Sequence, residues 1–478
     1  MRARKEHCIL PRMTTTPVFD AELLRRHPQY GPRYTSYPTA PQFHEAFGER
    51  ELRLHAERSN ADLIPRPISL YVHVPYCFSP CFYCGCNRII TRDLQKGEFY
   101  LERLLREISM VAPLFARDRE VMQVHFGGGT PNFLSPTQLG QILDSMGRHF
   151  HFSDSPTRDF SIEIDPRHVS PGDIAKLAQL GLNRASLGVQ DFNPDVQQAV
   201  NRVQSVEQTL AVIDACHDSG MRSVNVDLIY GLPQQTLEGF AGTLATIINA
   251  QPGRLAIYGY AHMPSLFKAQ KQISEEQLPD AEMRLALLAL AVERLTGAGY
   301  QYIGMDHFAL PDDDLAIAQT AGSLQRNFMG YTTHAACDLV GLGVSAISHI
   351  DESYSQNPRD LAGWEVALDE GRLPVFRGMS LDFDDTLRAD IIQQLMCQAE
   401  IDIEEIERRY EIDFNSYFSG ARERLAKLVE DGLVEITATH IVATSKGRYL
   451  LRIIAMCFDN YLTSPNSHGD SPRFSKAV

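Results

Sequence analysis

The sequence predicts an α/β chain: a partial (β/α)6 barrel followed by a mainly helical, winged-helix-like C-terminal unit. Three observations lead there. Six short apolar runs alternate with stretches of helical spacing from about residue 68 to residue 260, the rhythm of a parallel sheet with right-handed crossovers. Motifs able to carry chemistry fall at the ends of those runs, where barrels place their sites. Around Ser380–Asp382 the pattern changes to helices closed by a short hairpin.

The runs are Ser69–Val74, Met122–Phe126, Phe160–Ile164, Arg184–Val189, Ser223–Ile229 and Leu255–Tyr260, each rich in Val, Ile, Leu or Tyr, as strands are. Between them, Tyr100–Val111, Gln138–Phe150, Ile174–Leu180, Val206–Ser219 and Phe240–Ala250 carry helical periodicity. Six units fall short of a closed eight-unit barrel. Met283–Leu295 reads as a further helix and Tyr300–Phe308 as a further strand. Residues 383–399, 402–410 and Tyr417–Asp431 read as helices, and Leu433–Ile436 with Ile441–Ala443 as the hairpin. Residues 1–60 show little periodicity but contain GPRYTSYPTA (Gly31–Ala40), whose prolines and tyrosines suit packing over a surface. After Thr463 the chain is rich in Ser, Pro and Gly. The expected division is an N-terminal covering segment at 1–60, a barrel with additional strands at 61–375, a helical unit at 376–462 and a tail at 463–478.

With 44% hydrophobic and 22% charged residues the composition is that of a globular protein. A formal net charge of −15 argues against nucleic-acid binding, which needs a basic face. The longest uncharged apolar run in a helical stretch, Leu285–Val292, is far below the ~20 residues that span a bilayer. The N-terminal MRARKEHCILPRM is basic but leads into no apolar stretch of a secretory leader; an upstream start, with Met13 as the alternative, is the plainer reading. A cytoplasmic enzyme without a membrane anchor is expected.

Of nine cysteines, four crowd into ten residues, Cys77-Phe-Ser-Pro-Cys81-Phe-Tyr-Cys84-Gly-Cys86. A tight cluster in a long chain reads as a metal site rather than a disulfide scaffold, and the five scattered thiols read as core residues. A structural zinc ion would need a fourth ligand, usually from a second pair, and no second pair is visible. A [4Fe–4S] cubane on Cys77, Cys81 and Cys84 fits the spacing better, with one iron left open for a chelating substrate. Cys86 stands as a fourth candidate ligand or as a close neighbour.

YVHVPYCFSPCFYCGC resembles the cluster motif of the oxygen-independent coproporphyrinogen III oxidases, also called coproporphyrinogen III dehydrogenases, radical S-adenosylmethionine (SAM) enzymes of haem biosynthesis. The resemblance runs nearly end to end, through GPRYTSYPTA, HFGGGTPNFL, SIEIDPR, GVQDFNPDVQ, NVDLIYGLP, YAHMP, YIGMDHFA, RNFMGYTT, GVSAIS and MCFDNYL, leaving only residues 1–12 outside. It implies a radical SAM barrel, a [4Fe–4S] cluster and two SAM molecules. Two propionates of coproporphyrinogen III would become vinyl groups, giving protoporphyrinogen IX, with a donor such as flavodoxin or ferredoxin and a monomeric enzyme. Carried over, Gly127, Gly128, Gly129 and Thr130 form the segment for the SAM amino group, and Glu163, Gln190, Arg202 and Asp227 contact SAM. Tyr71, Ala261 and Ile347 line the adenosine, and Tyr83 is the aromatic before the third cysteine.

The chemistry of these residue types agrees. Bare glycines after a strand let a ligand touch the backbone, an arginine grips a carboxylate bidentately, and an aspartate accepts from ribose hydroxyls. Arg33 in the N-terminal segment is a candidate propionate contact, as the family uses this segment at the substrate. His73 and His307 are candidate proton donors, against the commoner reading of hydrogen-bonded structural histidines. Gly259 departs from the bulkier polar residue expected there. Two other functions share parts of this pattern. The haem-chaperone branch generally lacks the GPRYTSYP segment and the cysteine at position 86. An iron–sulfur regulator would need a basic DNA-reading unit, whereas across residues 381–460 acidic side chains outnumber basic ones by 16 to 9.

Overall fold

The computed structural model describes residues 17–334 and 336–462; the alternative start at Met13 and the tail at 463–478 lie outside the described residues. Six parallel strands lie side by side in chain order: β1 Ile68–Val74, β2 Glu120–Gly128, β3 Asp159–Ile164, β4 Arg184–Gln190, β5 Ser223–Tyr230 and β6 Arg254–Gly259. Each leads into a helix: α1 Gln95–Val111, α2 Pro136–His149, α3 Pro171–Gln179, α4 Val206–Asp218, α5 Leu237–Asn249 and α6 Ala281–Gly297. This is the expected partial barrel. The sheet stays open, carrying further strands at both ends. Beyond β6 come β7 Gln301–Gly304 and β8 His307–Ala309; beyond β1 come β9 Asp338–Leu342, parallel to it, then β10 Ile347–Ile350, β11 Ser353–Gln356 and β12 Arg377–Ser380.

Within the six strands, side chains alternate between two environments, as the pleat requires. Leu70, Val72, Val124 and Phe126 are wholly buried toward the helices, each worth about 1.5–3 kcal/mol. The residues between them face inward and are largely polar. Helix starts follow from local chemistry: Ser135 and Ser170 accept from the backbone of Gln138 and Asp173, each with proline at the next position.

The single strand expected at Tyr300–Phe308 is a hairpin, because Met305 takes a left-handed φ of 50° and reverses the chain between β7 and β8. The expected C-terminal hairpin is a three-stranded sheet. Helix α7 Phe383–Gln398 ends at Ala399, whose φ of 60° turns the chain into β13 Glu400–Asp402. Helices α8 Ile403–Tyr410 and α9 Ser419–Glu430 follow, then β14 Val434–Ile436 and β15 His440–Ala443, with β15 in the middle of the sheet, and finally α10 Leu451–Met456. The N-terminal segment contains a helix, Glu49–Ala61, that periodicity hides: its buried face is Leu52, His55, Ala56 and Ser59. The two polar members are buried because His55 bonds Asp351 and Ser380, and Ser59 bonds Asp338.

A second core joins the ends of the chain. Leu23, Leu24, Tyr34 and Tyr37 pack with Leu387, Leu395, Ile454 and Phe458. The Tyr34 hydroxyl donates to Asp459 at 2.9 Å, and Arg452 donates to the Pro32 carbonyl at 3.0 Å. Among the described residues no helix is long and apolar enough to cross a membrane.

At the foot of β9, Arg119 donates to Asp338 at 2.6 Å, with their side chains 2% and 1% exposed, and its other donors reach Arg66 O and Asn60. Asp338→Ala leaves this guanidinium buried and uncompensated, an expected loss of about 3–5 kcal/mol, read as a lower thermal midpoint. Replacing both partners together, Arg119→Met with Asp338→Leu, should cost less. An unchanged midpoint for Asp338→Ala would refute the pairing.

Candidate active site

The cysteine loop leaves the C-terminal end of β1 and crosses the barrel mouth. Cys77 and Cys81 are buried, Cys84 is half-buried and Cys86 exposed. Each of the first three sulfurs meets a donor from a different part of the chain. Thr130 Oγ1 lies 3.2 Å from Cys77 Sγ, Arg202 Nη1 lies 3.5 Å and Arg167 Nη2 3.8 Å from Cys81 Sγ, and the Cys86 backbone N–H lies 3.4 Å from Cys84 Sγ. Arg88 braces the loop from below by donating to the carbonyls of Cys81 and Cys84 at 3.1 and 3.2 Å. Donors and guanidinium groups around thiols favour the thiolate, the form that ligates metal. Burial pushes the Cys77 thiol up to about 11, whereas the hydrogen bond from Cys86, aided by Arg88, brings Cys84 down to about 6.

Among the described residues no three His, Cys, Asp or Glu side chains converge as the ligands of one ion do. Thiolates that each take a separate iron of a cubane need no such convergence. Three sulfurs on one loop, each with its own donor, are a donor set that fits a cubane cluster. Cys86 turns its thiol to Cys84 rather than standing apart as a fourth corner.

Around this loop the structure gathers the expected cofactor residues. Glu163, near the end of β3, accepts from Gly128 N–H at 3.1 Å and faces His125 at 3.4 Å. Asp227 on β5 is held by Asn225 at 2.8 Å and Ser186 at 3.3 Å, and burial pushes its carboxyl up to about 7 against those bonds. Gln190 follows an irregularity at the end of β4, with φ of 69°. Tyr71 stacks on His125 with ring centroids 5.9 Å apart, and Ile347 lies across Gly341 from it: a Cβ on Gly341 would sit 2.5 Å from the Ile347 carbonyl. Gln270, which sequence reading passed over, ties Tyr83 to Ala261 by donating to both carbonyls, at 2.9 and 3.2 Å.

Two groups of expected residues also have partners within the protein. Close packing keeps the glycines bare: a Cβ on Gly128, at φ of 113°, would fall 2.6 Å from the His73 ring, and one on Gly129 would fall 2.7 Å from the Pro75 carbonyl. Arg202, expected on a carboxylate of the ligand, is engaged within the protein, with Asp165 at 3.4 Å, the Gly188 carbonyl at 2.5 Å and Cys81. Its Nε has no hydrogen-bond partner among the described residues. Burial opposes Asp165's charge, but Arg202 and Arg167 hold its carboxyl at about 2.

Beneath these residues lies a cavity of about 160 Å³. Its lining continues the inward alternation, His125 on β2, Ser161 on β3, Ser186 on β4, Asn225 on β5 and Tyr258 on β6. The first four stand an even number of places from an expected residue on the same strand, so the period of two was the signal that could have found them; Tyr258, three places from Ala261, lies outside it. Its floor is ionic: Arg184 lies 3.1 Å from Asp159, and Arg254 lies 2.8 Å from Asp313. Arg33 reaches in from the N-terminal segment to pair with Asp306 and lies 5.5 Å over the Tyr258 ring. His307 lines the same cavity, and burial drives its imidazole down to about 3, toward the neutral form. His73 is structural, bonded to Tyr71 at 3.1 Å and to the Asn87 carbonyl at 3.0 Å. Gly259 leaves room for Tyr230, whose hydroxyl would lie 2.8 Å from a Cβ there.

Comparison with known proteins follows the same outline. The Radical SAM superfamily matches residues 71–247, and the HemN C-terminal domain matches residues 381–450. A Pseudomonas aeruginosa protein named oxygen-independent coproporphyrinogen III oxidase is 48% identical, over 98% of this chain and 100% of its own. An Escherichia coli protein of the same name is 44% identical over 93% and 96%. The solved structure of coproporphyrinogen III oxidase (HemN) from Escherichia coli, described as a radical SAM enzyme, superposes with a TM-score of 0.89 at 43% identity, over 94% of this chain and all of that one.

Anaerobic reconstitution of single cysteine variants should separate ligands from neighbours. Cys77→Ala, Cys81→Ala and Cys84→Ala are expected to lose most of the iron and sulfide of the wild type. Cys86→Ala should keep both. Equal loss in all four variants would make Cys86 a ligand.

Proposed function

This chain belongs to the oxygen-independent coproporphyrinogen III oxidases, a radical SAM family, and from that membership we propose that it decarboxylates two propionates of coproporphyrinogen III oxidatively to vinyl groups, giving protoporphyrinogen IX. One observation carries the reading: likeness to oxidases of that name runs through the barrel, the C-terminal domain and the N-terminal segment alike. The cluster and SAM supply one-electron reduction and hydrogen-atom abstraction. Each propionate gives up a hydrogen atom, CO2 and one further electron.

The residues of the chain divide the remaining work. Cys77, Cys81 and Cys84 hold the cluster, with Thr130 and Arg202 donating to their sulfurs. Glu163, Gln190 and Asp227 present oxygens and an amide from adjacent strand ends to SAM, and Tyr71, Ala261 and Ile347 wall its adenosine. The free Nε of Arg202 is the donor left for an incoming carboxylate. Such positioning lowers the barrier by holding the reactants in register. Buried cations suit a tetracarboxylate substrate: Arg33 can exchange Asp306 for a propionate, while Asp306 keeps that guanidinium compensated in the substrate's absence. Two SAM molecules, a flavodoxin or ferredoxin donor, a monomeric state and a cytoplasmic setting complete the proposal.

The test is CO2 release from coproporphyrinogen III by reconstituted enzyme without oxygen, dependent on both SAM and reductant. Arg33→Ala should raise the KM for substrate by about tenfold or more, the scale of a lost charge-assisted bond. It should leave slow SAM cleavage without substrate unchanged. An intact cluster that releases no CO2 but takes up haem would instead favour the haem-chaperone branch, and an unaltered KM in the variant would remove Arg33 from the substrate site.

A further inference from the structure

The outer side of the cysteine loop carries a recess that the barrel chemistry does not use. It measures about 570 Å³, is open to solvent, and is lined by Phe78, Arg92, Arg167, His168, Val203 and Gln208 among others. None of its lining residues is acidic, although the chain as a whole carries a net charge of −15. Its floor is one side chain thick: Arg167 lines the recess and also donates toward Cys81 Sγ at 3.8 Å. Phe78, one residue from the first ligand, packs on His168 with ring centroids 4.3 Å apart. Val203, beside Arg202, stands 66% exposed. A half-buried aromatic wall, a protruding aliphatic residue and a rim with two arginines form the anatomy of a small recognition patch.

We propose that this recess is where a small acidic one-electron carrier protein docks to reduce the cluster. The proposal rests on the reading that the cluster accepts one electron for each SAM cleaved. Two observations converge on it. The residues proposed to hold SAM, Glu163 and Asp227 among them, stand on the barrel side of the loop, which leaves the other side for electron entry, and here Cys81 lies one side chain, Arg167, away from the recess. On a chain of strongly negative net charge, an acidic partner favours a local face that carries arginines and no acid, so Arg92 and Arg167 both attract and orient it. In the step itself the carrier is oxidised by one electron and the cluster reduced by one; no covalent bond forms or breaks.

The test uses reconstituted holoenzyme and reduced flavodoxin as the probe. Arg92→Glu and Val203→Glu alter the rim without touching a ligand or a cofactor residue, and Arg294→Glu, near the C-terminal end of α6 at the opposite end of the barrel, is the control. Anaerobic titration of flavodoxin should show about tenfold or greater weakening for the two rim variants and none for the control. SAM cleavage driven by limiting flavodoxin should fall in parallel, while cleavage driven by dithionite, which needs no docking, stays at the wild-type rate. Wild-type flavodoxin affinity and flavodoxin-driven rate in both rim variants would overturn the proposal, as would equal loss with both reductants. Absence of CO2 release under dithionite in the wild type would instead count against the oxidase reading.

Discussion

Three sulfurs within eight residues repel one another as thiolates unless the fold brings donors to them, and the barrel mouth is arranged around that need. The donors come from separate places: Thr130 after β2, Arg167 after β3, Arg202 after β4 and the backbone of Cys86. Arg202 is the hub. It contacts a cysteine sulfur, the buried carboxylate of Asp165 and the end of β4 through the Gly188 carbonyl, so one guanidinium ties the cysteine loop after β1 to the ends of β3 and β4. Asp165 is the compensating charge without which two arginines could not lie buried side by side.

The same logic runs down the inside of the sheet. A packed aliphatic interior would leave no place for a charged cofactor, so the inward positions are polar, and each pairs with a neighbour: His125 with Glu163, Asn225 and Ser186 with Asp227, Arg254 with Asp313. Satisfied polar groups cost little when buried and hold each other's rotamers. The chain termini close the structure from outside, as Tyr34 and Tyr37 join the core of the C-terminal domain and Arg33 is thereby aimed at Asp306.

Much of this was legible in the sequence because strong local signals agreed with the tertiary result. The six strands and their helices follow from apolar periodicity, and the cysteine cluster marks the loop at the barrel mouth. What was missed is equally physical. Helix Glu49–Ala61 buries His55 and Ser59 through partners hundreds of residues away, so no local pattern marks its inner face. The reversal at Met305 and the helix end at Ala399 depend on left-handed residues that are not glycine. The carry-over of Arg202 foresaw a carboxylate but not that Asp165, from the quoted SIEIDPR motif, already supplies one. For the glycines after β2, the motif gave the residues but not the close packing against His73 and Pro75 that also keeps Gly128 and Gly129 bare.

Everything turns on whether one iron of the cluster is open to SAM. Electron paramagnetic resonance of the reduced, reconstituted enzyme, recorded with and without SAM, measures this directly. The expected result is a [4Fe–4S] signal whose line shape changes on SAM addition, in wild type and Cys86→Ala alike. A signal indifferent to SAM, or zinc in place of iron at the Cys77–Cys84 loop, would contradict the three-thiolate site on which the fold and function converge.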